Sequence, residues 1–361
     1  MRLYAAISHH GFGHLAQTAP VLNALAGAAS DMEFIVRSAL PESVVARRVS
    51  VPFSHIDAPA DCNFVMRDAL RVDLSASLAA YHAFHAAWSA RVEAEAEALV
   101  HLGVGLVFSD VGYLPLAAAQ RAGIPSVAMC SLNWADIFAH YLEEQPGAAP
   151  MLAAMRAAYA GADAFLRPEP AMPMRDLANA VAIPPIAVVR RSRRAELAAR
   201  LHLKPTDKLV LVGLGGIPHR LPVASWPEMP GIVWLLPDEW QVEHPAMFGF
   251  AATGMVYADL LASVDALVTK PGYGSFVEAT CAGVPVLTLP REDWPETPYL
   301  LEWLQTHGNA LEIEEVRVLS GNLRDALETL WAMPVRAAVS ADGAEVAARL
   351  ILELGWGSGI Q

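Results

Sequence analysis

Hydrophobic positions along the chain form short unbroken runs, separated by stretches in which apolar residues recur at helical spacing. The runs are Leu3–Ser8, Phe34–Arg37, Leu106–Asp110 and Val127–Cys130, then, after a break, Leu209–Gly213, Ile232–Leu236, Ala266–Lys270 and Val284–Leu289. They lack the alternating polar positions of half-exposed strands, so they predict parallel strands covered on both faces by the intervening helices. This βα pattern occurs twice, and predicts an α/β chain of two Rossmann-like parallel-sheet domains facing each other across a cleft. In the break, Pro168, Pro170, Pro173, Pro184 and Pro185 precede Arg190, Arg191, Arg193 and Arg194. Proline withholds a backbone donor and discourages helix, so the segment reads as an interdomain connection. The expected division is an N-terminal domain over 1–170, a linker over 171–205, a C-terminal domain over 206–338 and a closing segment over 339–361. Within the last, Ala341–Leu354 has helical spacing and Gly355-Trp356-Gly357 ends it, with the helix expected to pack back on the N-terminal domain.

Composition sharpens this picture. The chain has 361 residues, beyond the roughly 250–300 at which one hydrophobic core stops growing. Hydrophobic residues make up 54% and charged ones 17%, which provides a large core and excludes a disordered chain. The 38 acidic and 25 basic residues leave a formal charge of -13, which repels phosphodiester backbones, so no nucleic-acid partner is expected. Cys62, Cys130 and Cys281 are far apart and without C-x-x-C spacing, indicating neither a disulfide framework nor a zinc knuckle. The apolar stretch Leu3–Ser8 is too short for a secretory segment and no run is long enough to span a bilayer, so the expected location is cytoplasmic, with peripheral membrane association open. Nothing in the sequence sets an oligomeric state.

Candidate chemistry lies where runs meet glycines. Leu3–Ser8 leads into His9-His10-Gly11-Phe12-Gly13-His14, followed by apolar residues at helical spacing. Glycines at a strand-to-helix turn let a ligand approach the backbone, and the helix start presents free N–H groups. The third glycine of a dinucleotide fingerprint is missing, and the histidines carry no metal-ligand spacing. His14 is the candidate functional histidine, against the alternative that it caps or packs. Asp110 ends the run Leu106–Asp110, where ligands bind in open α/β sheets. It would orient the His14 ring as in a base-plus-carboxylate pair, or else cap the helix starting near Leu114.

The second half has a turn of similar type. Strand Ala266–Lys270 runs into Pro271-Gly272-Tyr273-Gly274-Ser275 and a helix containing Glu278. Loop N–H groups, a hydroxyl and the charge of Lys270 suit a diphosphate, and Glu278 is placed for ribose hydroxyls. Gly213-Leu214-Gly215-Gly216 closes another strand and would line the same place. Each loop alone is also what an ordinary βα turn looks like. His82 and His85, among Tyr81, Phe84 and Trp88, read as a core or rim face.

These residues carry a resemblance. Gly13-His14-Leu15 with Pro20 resembles the Gly-His turn of the peptidoglycan N-acetylglucosaminyltransferase and of plant UDP-sugar transferases. Val268 through Glu278 is similar to the donor signature of the plant enzymes. Over both halves the chain resembles nucleotide-sugar glycosyltransferases of the GT-B fold. His10-Gly11-Phe12-Gly13-His14, Ser109-Asp110-Val111, Gly272-Tyr273-Gly274 and Arg291 through Leu300 are similar to the N-terminal half of plant L-arabinokinases.

The resemblance implies transfer of a sugar from a nucleoside diphosphate sugar to a small-molecule or lipid-linked acceptor hydroxyl, with UDP favoured over dTDP or GDP and no other cofactor. His14 and Asp110 would be catalytic, with His10, Gly11 and Gly13 on the acceptor side, and Trp134 either lining the acceptor pocket or packed in the core. Gly215, Gly216, Lys270, Gly272, Gly274, Ser275 and Glu278 would bind donor diphosphate and ribose, and Tyr257 and Glu296 the donor base or sugar. Lys270 stands where retaining relatives carry an acidic residue, which implies inversion. Glu296-Thr297 replaces the acid-Gln pair that holds sugar hydroxyls, so no sugar preference carries over. No Asp-x-Asp sequence occurs and no metal is implied. Two further readings are a catalytically silent sugar-nucleotide module, as the arabinokinase likeness permits, and a sugar-nucleotide epimerase.

Overall fold

The computed structural model describes residues 1–216 and 220–356. Gly357, part of the expected helix stop, and the remainder of the closing segment lie outside the described residues. The chain divides into two compact units. The first comprises Met1–Arg67, Arg71–Ile186 and the residues from Asp342 onward; the second comprises Asp68–Leu70 and Ala187–Ala341.

The first unit is built on seven parallel strands, β1 (Arg2–Ala6), β2 (Glu33–Ser38), β3 (Phe53–Asp57), β4 (Leu106–Ser109), β5 (Ser126–Met129), β6 (Ala164–Pro168) and β7 (Ala180–Ile183), in the order β3-β2-β1-β4-β5-β6-β7. The period of two divides each central strand between two cores. Leu3, Ala5, Ile7, Leu106 and Phe108 belong to one cluster, while Tyr4, Ala6 and Val107 belong to the cluster on the other face. The central strands are therefore mostly apolar on both faces, and their parallel pairing follows from helices on both faces.

The second unit repeats the plan with β8 (Lys208–Val212), β9 (Ile232–Leu236), β10 (Met247–Gly249), β11 (Ala266–Thr269), β12 (Val286–Thr288) and β13 (Ala310–Glu312), in the order β10-β9-β8-β11-β12-β13. Val210, Val212 and Val268 face one core, and Leu209, Leu211 and Leu267 the other. In both sheets the strand order reverses direction once, between β1 and β4 and between β8 and β11. The crevice outside the carboxyl ends of such a pair is where α/β sheets bind ligands.

All eight expected runs form strands. Five further strands lie outside the expected runs: β3, β6 and β13 contain polar residues, and β7 and β10 are apolar stretches of only four and three residues. β3, β7, β10 and β13 are sheet edges with partly exposed residues, and β6 contains Arg167 and ends on Pro168. The expected linker over 171–205 is not a free connection. β7 lies inside it and pairs with β6, Ile186 forms a bridge with Asp342, and the helix Arg194–Arg200 buries Leu197 in the second unit. Pro184 and Pro185 follow β7 directly and leave its ladder intact, so the division falls at Ile186 and Ala187.

The helix Gly343–Trp356 returns to the first unit and packs beside the helix Phe12–Ala28. Ala344, Ala347, Ala348 and Ile351 share a core with Leu15, Ala19 and Leu22. Three alanines let the two helices approach closely, and Ile351, wholly buried, fills the remaining space. Ile351→Ala is expected to cost about 2–5 kcal/mol, read as a lower urea midpoint.

Candidate active site

β1 ends at Ala6, and the chain passes through Gly11, whose φ of 93° lies in the left-handed region that favours glycine, into the helix Phe12–Ala28. Neither a side-chain cap nor an acidic residue occupies the start of that helix. His14 sits in its first turn. Asp110 follows β4 directly, its N–H donating to Ala6 O at 2.9 Å and its Oδ2 accepting from Ser8 N at 3.2 Å. Adjacent strands thus place a histidine and a carboxylate at the switch point. His14 Nδ1 lies 2.9 Å from Asp110 Oδ2.

Asp110 is wholly buried and His14 nearly so. Burial alone would disfavour the imidazolium, but the charge and hydrogen bond of Asp110, helped by Cys130, hold the His14 pKa well above the ordinary 6.5. With Asp110 on Nδ1, the neutral ring keeps its proton there and leaves Nε2 for proton transfer. Asp110 does not cap the helix Leu114–Ala122, whose cap position is Tyr113.

His14, Asp110 and Cys130 also offer ligand atoms within 4.8 Å of one another, as a metal site would. Two features favour acid–base chemistry. The His14–Asp110 separation is that of a hydrogen bond, and burial, with Asp110 nearby, pushes the Cys130 thiol up to about 11, so the thiolate a metal requires is disfavoured.

Trp134 is wholly buried, so its indole serves this site from behind. Its ring centroid lies 5.2 Å from that of His10 and 5.9 Å from that of His14. Asp61, which no sequence pattern singled out, accepts from Trp134 Nε1 at 2.6 Å. Gly11 and Gly13 leave open space where a Cβ would stand.

In the second unit, β8 runs into Gly213–Gly216 and β11 into Lys270. Thr269 Oγ1 donates to Gly213 O at 2.6 Å, tying the two loops together. Gly215 has φ 82°, and a Cβ there would stand 3.7 Å from Lys270 Cε and 3.9 Å from Nζ, so the amine lies along this loop. Gly272 begins the helix Tyr273–Cys281, which contains Gly274 and Ser275 in its first turn. That helix start too has neither a side-chain cap nor an acidic residue, which keeps its positive dipole end uncompensated by side chains. Glu278 is buried further along the helix. The Tyr257 hydroxyl would be 3.0 Å from a Cβ on Gly213, which puts it at the same loop.

Lys270 is pushed down to about 7 by desolvation and then by the Arg291 guanidinium, against the pull of Glu296. Arg291 belonged to the arabinokinase-like pattern but was not among the expected site residues. It is buried, stacks over Trp294 at 4.1 Å and donates from Nε to Leu70 O at 3.2 Å. Glu296 Oε2 accepts from Trp294 Nε1 at 3.2 Å. Two cations and one carboxylate thus share a partly desolvated place. Arg190 lies outside this group, 3.8 Å from Asp259 on the surface. His85 stacks on Trp88 and on Tyr113, which also touch each other, and burial lowers it to about 4.

No family model matches the chain. An L-arabinokinase of Arabidopsis thaliana is 27% identical over 353 residues, 96% of this chain and 34% of that protein, so the chain spans about a third of that relative. Among solved structures, the glycotransferase of kitacinnamycin is similar at 18% identity and a TM-score of 0.63, over 98% of both chains. Phytolacca americana UGT2, solved with UDP-2-fluoro-glucose and pterostilbene, is 14% identical with a TM-score of 0.57 over 98% of this chain and 94% of that one. A Listeria monocytogenes protein carrying the name UDP-N-acetylglucosamine 2-epimerase is 12% identical with a TM-score of 0.60 over 99% and 96%. The two Rossmann-like units are those of the GT-B fold, and its structural neighbours here include nucleotide-sugar glycosyltransferases. No helix among the described residues is long and apolar enough to cross a membrane.

The raised His14 pKa fixes the sign of a stability effect. A group that binds its proton more tightly when folded stabilises the fold fully below its unfolded value, and the contribution fades as pH rises through the folded one. Asp110→Asn is therefore expected to lose most stability relative to wild type at pH 6 to 6.5, and progressively less above. Urea unfolding across pH checks this.

Proposed function

We propose that the chain is an inverting, metal-independent glycosyltransferase that moves a sugar from a nucleoside diphosphate sugar to an acceptor hydroxyl. The observation that carries this reading is the buried His14–Asp110 pair, 2.9 Å apart, at the switch point of the first sheet. The first unit is assigned the acceptor and the second the donor.

In the proposed step, His14 Nε2 takes the acceptor hydroxyl proton as that oxygen attacks the anomeric carbon. The new C–O bond forms as the bond to the diphosphate oxygen breaks, and its electron pair leaves with the diphosphate. Asp110 stabilises the imidazolium that results. A general base contributes about 10²–10⁴-fold, and stabilisation of the departing charge supplies more. That charge would meet Lys270, the N–H groups from Gly272 to Ser275 and the Gly215-Gly216 loop, an arrangement that can serve without a metal ion. Arg291, beside Lys270, adds positive potential. Inversion is favoured because Lys270 is a cation where a retaining relative would carry a carboxylate. Glu278 would hold the ribose, and Tyr257 and Glu296 the base or sugar.

UDP is the favoured nucleotide because UGT2 was solved with a UDP sugar. A small-molecule or lipid-linked acceptor and a cytoplasmic location, with or without membrane attachment, belong to the same proposal. The epimerase reading rests on the Listeria neighbour, and would use the same diphosphate site. The silent-module reading rests on the arabinokinase relative. Incubation with UDP-, dTDP- and GDP-sugars separates all three: diphosphate release with sugar transfer supports a transferase, an epimeric product the second reading, and binding alone the third.

His14→Ala is expected to retain donor binding and lose about 10²-fold or more in kcat; near-wild-type turnover would remove His14 from the mechanism. The base must be neutral, so kcat should climb with pH through the raised His14 titration, and Asp110→Asn should move that limb to lower pH. Donor binding carries the opposite sign. Free Lys270 loses its proton near pH 7, whereas a bound diphosphate favours the ammonium. UDP affinity by calorimetry should therefore fall as pH rises above 7, with proton uptake on binding, and Lys270→Met should weaken binding and abolish that dependence.

A further inference from the structure

Behind the histidines of the first unit lies a second buried carboxylate, Asp61, in the loop that follows β3. Its Oδ2 accepts from Trp134 Nε1 at 2.6 Å. With the Asn63 amide nitrogen turned toward it, the orientation that pairs every donor with an acceptor, Asn63 donates to both Asp61 oxygens at 3.0 Å and accepts from His9 Nε2 at 3.2 Å. Burial pushes the Asp61 carboxyl above its ordinary value, against the opposing pull of the Trp134 N–H and of the His14 and His9 imidazoles, and the Asp110 carboxylate adds to the push. The neighbouring phenols of Tyr81, Tyr113 and Tyr159 are held well above their ordinary value by burial, so they stay neutral.

This arrangement is costly as packing alone. A buried carboxylate destabilises a fold unless it is hydrogen-bonded, and an apolar residue would fill the space more cheaply. What the carboxylate secures is the Trp134 indole. That ring is also fixed at its backbone, where Trp134 N donates to the Tyr159 hydroxyl at 3.1 Å, and its position at the start of the helix Trp134–Leu142 is set by the Asn133 cap. The indole therefore has little freedom left, and the rings of His10 and His14 rest against it at 5.2 and 5.9 Å. Asp110 and Cys130 both meet His14 at Nδ1, so the ring can still tilt about that one atom. The indole is a second support, from another direction.

We propose that Asp61 is a positioning residue for His14, pinning the Trp134 indole against which the imidazole packs. The inference rests on the reading of His14 as the base only for its effect on turnover; the effect on the ring itself is independent of any substrate.

The test uses the full chain with labelled histidine, titrated by NMR without ligand, in the wild type and in Asp61→Asn. The variant keeps an oxygen for the Trp134 N–H and removes the charge. The His14 midpoint is expected to fall by about one pH unit and the Trp134 indole N–H resonance to move toward that of a weaker hydrogen bond. With a sugar nucleotide that turns over, kcat should fall about tenfold with the donor KM unchanged. A folded Asp61→Asn protein whose His14 titration coincides with the wild type overturns the proposal, as does a donor KM that shifts as far as kcat. If Asp61→Asn does not fold, Trp134→Phe is read in its place: displaced His14 ring signals support the assignment and unmoved ones overturn it. If the wild type turns over no sugar nucleotide, the functional reading fails, and the NMR titration still decides the role of Asp61.

Discussion

Burial of both faces of each parallel sheet is the constraint on which the rest of the molecule depends. A strand such as β1 or β11, covered by helices on either side, has no side chain left to offer a ligand, so the polar groups collect just beyond its carboxyl end. There the hydrogen bond from Asp110 N to Ala6 O and that from Thr269 to Gly213 O fix one loop to its neighbour. The catalytic candidates are accordingly positioned by the ladders themselves. His14 and Asp110 are 96 residues apart in sequence, yet their strands are adjacent in the sheet.

The two units apply opposite electrostatics to this shared frame. In the first, negative charge stands behind an imidazole and raises its affinity for a proton. In the second, a lysine is placed beside Arg291 in a partly desolvated setting, which weakens its hold on its own proton. One setting favours taking up a positive charge during reaction, and the other favours receiving an anion. The second setting costs stability in the resting protein, because burying a charge next to a like charge is unfavourable. Such costs concentrate at functional sites.

How much of this was legible in the sequence follows the same physics. The central strands announce themselves because two-sided burial demands unbroken apolar runs, and glycine turns after them mark where ligands approach. Edge strands such as β3 and β13 do not, since half-exposure removes the run and leaves nothing to distinguish them from loops. β7 was hidden by the prolines around it, although Pro184 follows the strand and interrupts no ladder. His14, Asp110 and Lys270 could be read because each stands directly after a recognisable strand or in the helix it feeds. Asp61 could not, because its loop follows the unrecognised β3 and its partner Trp134 is 73 residues away. Trp134, expected on the acceptor side or packed in the core, is wholly buried and meets His10 and His14 by ring contact.

The lysine at position 270 bears on the proposed chemistry through its surroundings. A departing diphosphate gains negative charge at the bridging oxygen, and a group that counters this charge acts in the transition state more than in the bound ground state. A fully solvated ammonium would already be neutralised by water and counterions. A desolvated one beside a guanidinium is not, so the field it presents to an arriving phosphate is stronger and needs little reorganisation when the bond breaks. A carboxylate in the same place would oppose that charge. Under the proposed reading, Lys270 would thus give the leaving group a physical reason to depart.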